Sequence, residues 1–441
     1  MIKILITVIA LLLIMLRISG HTRQFIITPQ FAFVVSFIPS LATLSIFVDK
    51  WNVDLDNRTV ALIISGAFVF TEVSFFSEKL IRKYKIAGPW RNIRHRGIVE
   101  INLIRNSTLR LLIFVAFIGV AAYFTYIASF SKRLSVNNIA TILMNYRNAY
   151  NEESLDMPTF VSITSMASTC IADYCVYYFF TNRRRLHGLR KKKLLLFLCC
   201  VPGVLIPLLS GARGGVINFG MFVFAVAIIN STNELQTQRI TIRIAILSAV
   251  VVVATLRIVG IFMGRAIDVG AVDYMGMYLP APVRNLDYII RTEDIGLFSG
   301  FGDSANRTFS KLLNFLSFRF GLKITAATGR RTLMANGHYT GNMYTVYYNL
   351  LHDAGFIGAL LLLALTAFLC QFFFLAIKRK IQGREGGYTS SIAYALIYSY
   401  LFLSFFNENF FYNVFTNYFL RQVIFFMLID WFVRKIRLRL S

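Results

Sequence analysis

The stretch Leu111–Phe130, LLIFVAFIGVAAYFTYIASF, runs for twenty residues without a charged side chain. As a helix it covers the roughly 30 Å of bilayer hydrocarbon, and it is too long to be a buried strand. Comparable apolar runs recur along the whole chain. They predict eleven spans, at residues 2–16, 25–47, 59–77, 111–130, 159–180, 194–209, 215–230, 244–263, 355–377, 388–406 and 415–433. The composition agrees: 56% of the 441 residues are hydrophobic, above the roughly 45–50% of soluble domains, and the mean hydropathy is +0.61. The expected fold class is all-α, a polytopic transmembrane helical bundle of about eleven spans.

The formal net charge of +25 could suggest nucleic acid, but its distribution argues against that partner. Lys79–Arg110 carries nine Lys/Arg, Asn182–Lys193 seven, and Lys378–Arg384 and Arg434–Arg439 four each. Every second connection is basic, and basic segments stay on the cytoplasmic side. The pattern therefore predicts an external N-terminus, a cytoplasmic C-terminus and some contact with anionic membrane lipid. The N-terminal run Ile4–Leu16 has only Lys3 before it and no small-residue cleavage site after it, so it reads as a retained first span. All five cysteines lie within apolar runs, where they act as small hydrophobes rather than as a disulfide or metal framework.

The external connections include Asp49–Arg58, Ser131–Pro158, the tight turn Ser210–Gly214, Asn407–Asn413 and one outlier, Arg265–Ala354. About ninety residues cannot form a structureless loop in a compact protein. This segment contains amphipathic pieces, Tyr274–Ile290 and Thr308–Phe320, expected to lie on the membrane surface. Three regions follow: 1–264 with eight spans, 265–354 as the large external segment, and 355–441 with three spans and a basic tail.

Several residues could carry chemistry. In Ser210-Gly-Ala-Arg-Gly-Gly215, glycines bracket Arg213 at a membrane boundary, where a guanidinium fork and free N–H groups suit an anion. A turn whose arginine snorkels to phospholipid headgroups is the plainer reading. Arg257 and Arg421 sit inside spans near their outer thirds, and Arg265 follows Arg257 by about two turns. Charge at such depth usually faces a cavity or a partner. In the external segment, Arg284, Arg291, Arg307, Arg319, Arg330 and Arg331 offer a surface for a polyanion or sugar chain; Arg330 is the best placed. Downstream, a helix starting near Asn342 would align Asn342, Thr345, Asn349, His352 and Asp353 on one face, as the wall of a water-filled cleft. His338, His352 or Asp353 could deprotonate an acceptor hydroxyl. The alternative is a stripe that satisfies helix–helix hydrogen bonds.

Three pieces of the chain resemble the Wzy-type polymerases of bacterial O-antigen and capsule repeat units. They are the turn Ser-Gly-Ala-Arg-Gly-Gly at 210–215, the aromatic helix Tyr274–Tyr288 ending Pro-Val-Arg-Asn-Leu-Asp-Tyr, and Gly341-Asn-Met-Tyr-Thr followed after six residues by His-Asp-Ala-Gly-Phe-Ile-Gly358. Ala354 stands where that family usually has phenylalanine. The resemblance implies a GT-C-like glycosyltransferase of the bacterial inner membrane, acting at its outer face. Donor and acceptor would both be oligosaccharides linked to undecaprenyl diphosphate, with neither cofactor nor metal, and with a polysaccharide chain-length regulator as partner. In this reading Arg213, with Arg257, Arg265 or Arg421, holds the diphosphate. Arg284, Arg330, His338, Asn342 and Asp353 line the sugar cleft.

Three rivals use other features. An O-antigen ligase would share the donor and differ in acceptor. A glycosyltransferase using a polyprenyl-phosphate sugar would need an acidic pair, for which Asp54 and Asp56 are candidates. A lipid-linked oligosaccharide flippase should show two related halves, and no repeat is present.

Overall fold

The computed structural model describes residues 1–22, 25–84, 103–133, 141–142, 146, 157–211, 213–230, 270–298, 308, 332–383 and 388–438. The protein is mostly helical, and six of the described helices are long and apolar enough to cross a membrane: Ile2–His21, Pro29–Trp51, Asn57–Lys83, Asn106–Ser129, Arg190–Leu209 and Val346–Lys378. This is a membrane-embedded protein. Further helices cover four of the other expected spans, at Thr159–Asn182, Arg213–Ile229, Thr389–Phe402 and Asn417–Leu438. The expected span 244–263 and the amphipathic piece from Thr308 to Phe320, Thr308 itself apart, lie outside the described residues.

In chain order the elements are α1 (Ile2–His21), α2 (Pro29–Leu44), α3 (Asn57–Lys83), α4 (Asn106–Arg133), α5 (Thr159–Asn182), α6 (Arg190–Cys200), α7 (Pro202–Leu209), α8 (Arg213–Ile229), α9 (Ala271–Gly276), α10 (Ala281–Thr292), β1 (Leu333–Ala335), β2 (His338–Gly341), α11 (Val346–Gly383), α12 (Thr389–Phe402), α13 (Phe410–Val414) and α14 (Asn417–Leu438). Two short strands are the departure from helix among the described residues. They form one antiparallel hairpin whose two-residue loop, Asn336-Gly337, has positive φ at both positions (47° and 76°). Asn-Gly is the dipeptide that tolerates this turn best.

The chain divides into two compact units. One comprises Met1–Arg91, Ala271–Arg379 and Ile397–Leu420; the other comprises Asn92–Gly270, Lys380–Leu396 and Arg421–Ser441.

In the first unit α1, α2 and α3 pack against one another, and α11 meets α2 and α3. Phe33 and Phe70 stack at 4.4 Å, and such ring pairs contribute about 0.5–1.5 kcal/mol beyond their buried area. Gly66 lets Tyr347 approach α3: a Cβ there would lie 2.2 Å from the tyrosine oxygen. Ionic contacts gather at both ends of these helices. Lys3 meets Asp54 at 3.2 Å at the end expected to face outward. Arg17 binds Glu72 through two nitrogens, at 2.5 and 2.9 Å, at the end expected to face inward, where Glu78 also accepts from Gln371 at 3.2 Å.

In the second unit α4 and α5 meet through small residues. A Cβ on Gly119 would collide with Ser168 Oγ and the Thr164 carbonyl, and Ser168 donates to the Ala116 carbonyl at 2.8 Å. Close backbone approach of this kind is how helices associate within lipid, where burial of apolar surface gives no drive. The cysteines are free; four are buried and Cys200 is partly so.

Candidate functional site

Ala281-Pro-Val-Arg-Asn-Leu-Asp-Tyr-Ile-Ile-Arg-Thr292 forms α10, with Pro280 and Pro282 fixing its first turn. The sequence placed this segment on the membrane surface. In the structure eight of its twelve residues are buried within the first unit, against α2, α3 and β2. The reason is visible in its polar residues. Asp287 accepts from the Asp56 amide at 2.6 Å, from the Thr59 hydroxyl at 2.7 Å and from Arg291 Nε at 2.8 Å. Asn285 donates its side-chain amide to the Thr340 and Met343 carbonyls, at 3.3 and 3.0 Å. Ser40 holds the Leu279 carbonyl at 2.7 Å, and Lys50 pairs with Asp273 at 2.5 Å. These contacts bring residues 49–59 together with the large segment, the two connections that the charge pattern assigns to one side.

Arg284 lies on the same helix. It is half-buried, its guanidinium carbon lies 5.2 Å from the Tyr288 ring centre, and its buried Nη1, like Asn285 Oδ1, has no hydrogen-bond partner among the described residues. Burial lowers its pKa, opposed by Asp287, Tyr288 and Tyr344; a guanidinium nevertheless stays charged. A buried guanidinium nitrogen without an acceptor is costly unless a ligand supplies one.

From Arg284 a row of aromatic and titratable groups leads to the start of α11. Tyr344 and Tyr348 stack at 4.2 Å over Ile289 and Leu333, and the Tyr348 ring lies 6.4 Å from that of His352. His352 Nδ1 is 3.5 Å from Asp353, a residue only 3% exposed, whose other oxygen accepts from the Thr308 amide at 2.6 Å. Two residues on, α11 breaks. Gly355 has φ 71° and ψ −173°, backbone that only glycine adopts readily, and a Cβ there would lie 2.6 Å from the Gly296 carbonyl. The amides freed by the break, Phe356 and Ile357, donate to the Gly296 and Leu297 carbonyls. His-Asp-Ala-Gly355 is thus a discontinuity in a span, stitched by the Gly296 and Leu297 carbonyls.

α11 begins at Val346 rather than near Asn342, so Asn342 stands exposed before the helix and is not on the stripe. Thr345, Asn349 and Asp353 are buried, and His352 is the partly accessible member. The stripe is therefore enclosed by protein, not the wall of an open cleft. His338 is exposed on β2.

No family model, curated protein or solved structure matches this chain.

Arg213 and Arg421 belong to the second unit. Arg213 opens α8 after a tight turn: Gly211 has φ 63°, its amide donates to the Leu208 carbonyl, and a Cβ on Gly215 would press on Pro207 at 2.8 Å. Gly214 has open space around it, so packing alone does not account for it. Arg421 is an exposed residue of α14. Arg257, Arg265 and Arg330 lie outside the described residues.

The acidic pair of the glycosyltransferase alternative is engaged. Asp54 binds Lys3, and Asp56 caps α3 by accepting from the Arg58 amide at 2.7 Å, which holds its carboxyl below the usual range. Among the described residues no group of three or more His, Cys, Asp or Glu could hold a metal. Sequence reasoning missed Asp287 and Asn285. Their signal was two polar residues spaced among the apolar positions of an amphipathic helix.

Proposed function

We propose that this chain is an eleven-span, GT-C-like glycosyltransferase of the bacterial inner membrane. It polymerises undecaprenyl-diphosphate-linked oligosaccharide units at the outer face, moving the growing chain onto a new unit. The observation that carries the reading is Arg284, a half-buried guanidinium with an unfilled nitrogen, on the row that ends at buried Asp353 and the break at Gly355. Breaking the bond between an anomeric carbon and diphosphate builds negative charge on the leaving group. Arginines stabilise such charge by bidentate, charge-assisted hydrogen bonds.

Arg213, with Arg257, Arg265 or Arg421, takes the diphosphate. Arg284, Arg330, His338 and Asn342 receive the sugar chain, and Asp353 or a histidine accepts the proton of the attacking hydroxyl. A polysaccharide chain-length regulator is the expected protein partner. The test is the glycan profile of cells carrying Arg213→Ala or Arg284→Ala. Both should lose the polymer ladder while single lipid-linked units persist. A normal ladder at normal protein level from Arg213→Ala removes the reading. A ladder that persists but is no longer joined to lipid core would identify a ligase.

A further inference from the structure

The basic turn after α5 is shaped, beyond being charged. Thr181, Asn182, Arg183, Arg184, Arg185 and Asn230 line a cleft of about 140 Å³ within the second unit. A water occupies about 30 Å³ of liquid, so the cleft admits a group of several heavy atoms. Its walls are fixed. The Thr181 hydroxyl donates to Asn230 Oδ1 at 2.8 Å, and Asn230 Nδ2 donates to the Val226 carbonyl at 2.9 Å. Asn182 Nδ2 is held by the Tyr178 carbonyl at 2.9 Å and the Tyr388 hydroxyl at 3.4 Å. Behind it, Tyr388 sits among Tyr174, Tyr177 and Tyr178, with ring centres 5.3–6.2 Å away. The turn itself is ordered by Leu186, fully buried, whose amide donates to the Asn182 carbonyl at 3.0 Å.

Three consecutive arginines around a rigid polar cleft differ from a solvated basic loop. The following run Arg190–Lys193 has a similar charge, yet it forms the first turn of α6 and lines no part of the cleft. Guanidinium forks match phosphate oxygens in pairs, which ammonium groups do not. A basic cleft at the cytoplasmic ends of spans is where a phospholipid headgroup sits.

We propose that the cleft formed by Thr181–Arg185 and Asn230 is a binding site for a phosphate group, presented by an anionic phospholipid of the inner leaflet or by a soluble phosphate. The site rests on the membrane topology and not on polymerase activity, so its failure leaves the proposed reaction standing.

The experiment uses the full chain in nanodiscs of phosphatidylcholine with a minor share of phosphatidylglycerol, and counts the lipid retained after extraction by native mass spectrometry. Wild type should retain phosphatidylglycerol over phosphatidylcholine, and Arg183→Gln/Arg184→Gln/Arg185→Gln should lower that preference about tenfold. Lys191→Gln/Lys192→Gln/Lys193→Gln, an equal change of charge outside the cleft, should leave it unaltered. Asn230→Asp, which places a carboxylate in the cleft and spares the arginines, should also lower it and guards against a misfolded triple variant. A parallel arm in detergent follows thermal unfolding with inorganic pyrophosphate. A rise in wild type that the arginine variant lacks assigns the site to a soluble phosphate, and retention of phosphatidylglycerol without such a rise assigns it to lipid. The proposal is overturned if the lysine variant loses as much lipid as the arginine variant, or if neither ligand depends on the arginines.

Discussion

Arg284 sits on a helix where Asp287 is committed to an amide and a hydroxyl and the Asn285 Nδ2 group to carbonyls, while Nη1 of Arg284 has no partner among the described residues. Arg184 and Arg185, in the turn after α5, are exposed on a cleft whose neutral walls are tied to backbone. In the first region the scaffold is polar and the arginine is half-buried. In the second the scaffold is aromatic and amide, and Arg184 and Arg185 are exposed. The difference teaches where stability and function separate. Charge kept at the surface costs little to hold, whereas charge within the fold is costly unless a partner or a ligand meets it.

The comparison can be broken most forcefully at Gly355. Gly355→Ala combines a forbidden φ with a collision against the Gly296 carbonyl, so it should destabilise by about 2–4 kcal/mol and lower the amount of folded protein, read by thermal unfolding and by membrane protein level. Wild-type stability from that variant would mean that the break in α11 is not constrained. Next is Asp287→Ala, which leaves the Asp56 amide, the Thr59 hydroxyl and Arg291 without their acceptor; a loss of about 2–3 kcal/mol is expected, with Asp287→Asn milder.

Arg284 sharpens the contrast because its two effects should point in opposite directions. Arg284→Met removes a half-buried nitrogen without an acceptor, so thermal stability should hold or rise slightly while the polymer ladder is lost. A stability loss as large as that of Asp287→Ala would make Arg284 part of the scaffold. The smallest effect belongs to the helix cap. Asp56→Ala should cost about 1 kcal/mol at neutral pH. The folded pKa of Asp56 lies below its unfolded value, chiefly through the Arg58 amide, so its contribution is present above the unfolded pKa and fades as pH falls through the folded one. The stability difference between wild type and variant should therefore shrink in acid; a constant difference would show that the carboxylate charge is irrelevant.

The sequence by itself determined that the chain lives in a membrane, and located the helices. Length and apolarity suffice for that, because a spanning backbone must satisfy its own hydrogen bonds and a helix does so locally. Alternating basic connections assign residues 49–59 and 273–287 to one side, and in the structure these segments are in contact. The hairpin at Asn336-Gly337 was not anticipated, because three-residue β1 is too short to show a period of two against the helical background.

Only the tertiary structure decided that α11 starts at Val346, that its polar stripe is enclosed and that it breaks at Gly355, because those depend on carbonyls supplied by residues 296–297. Only the structure, too, distinguished Arg284 from its neighbours and Arg183–Arg185 from Arg190–Lys193. Periodicity records which residues face inward; whether a buried nitrogen finds an acceptor is settled by contacts distant in sequence.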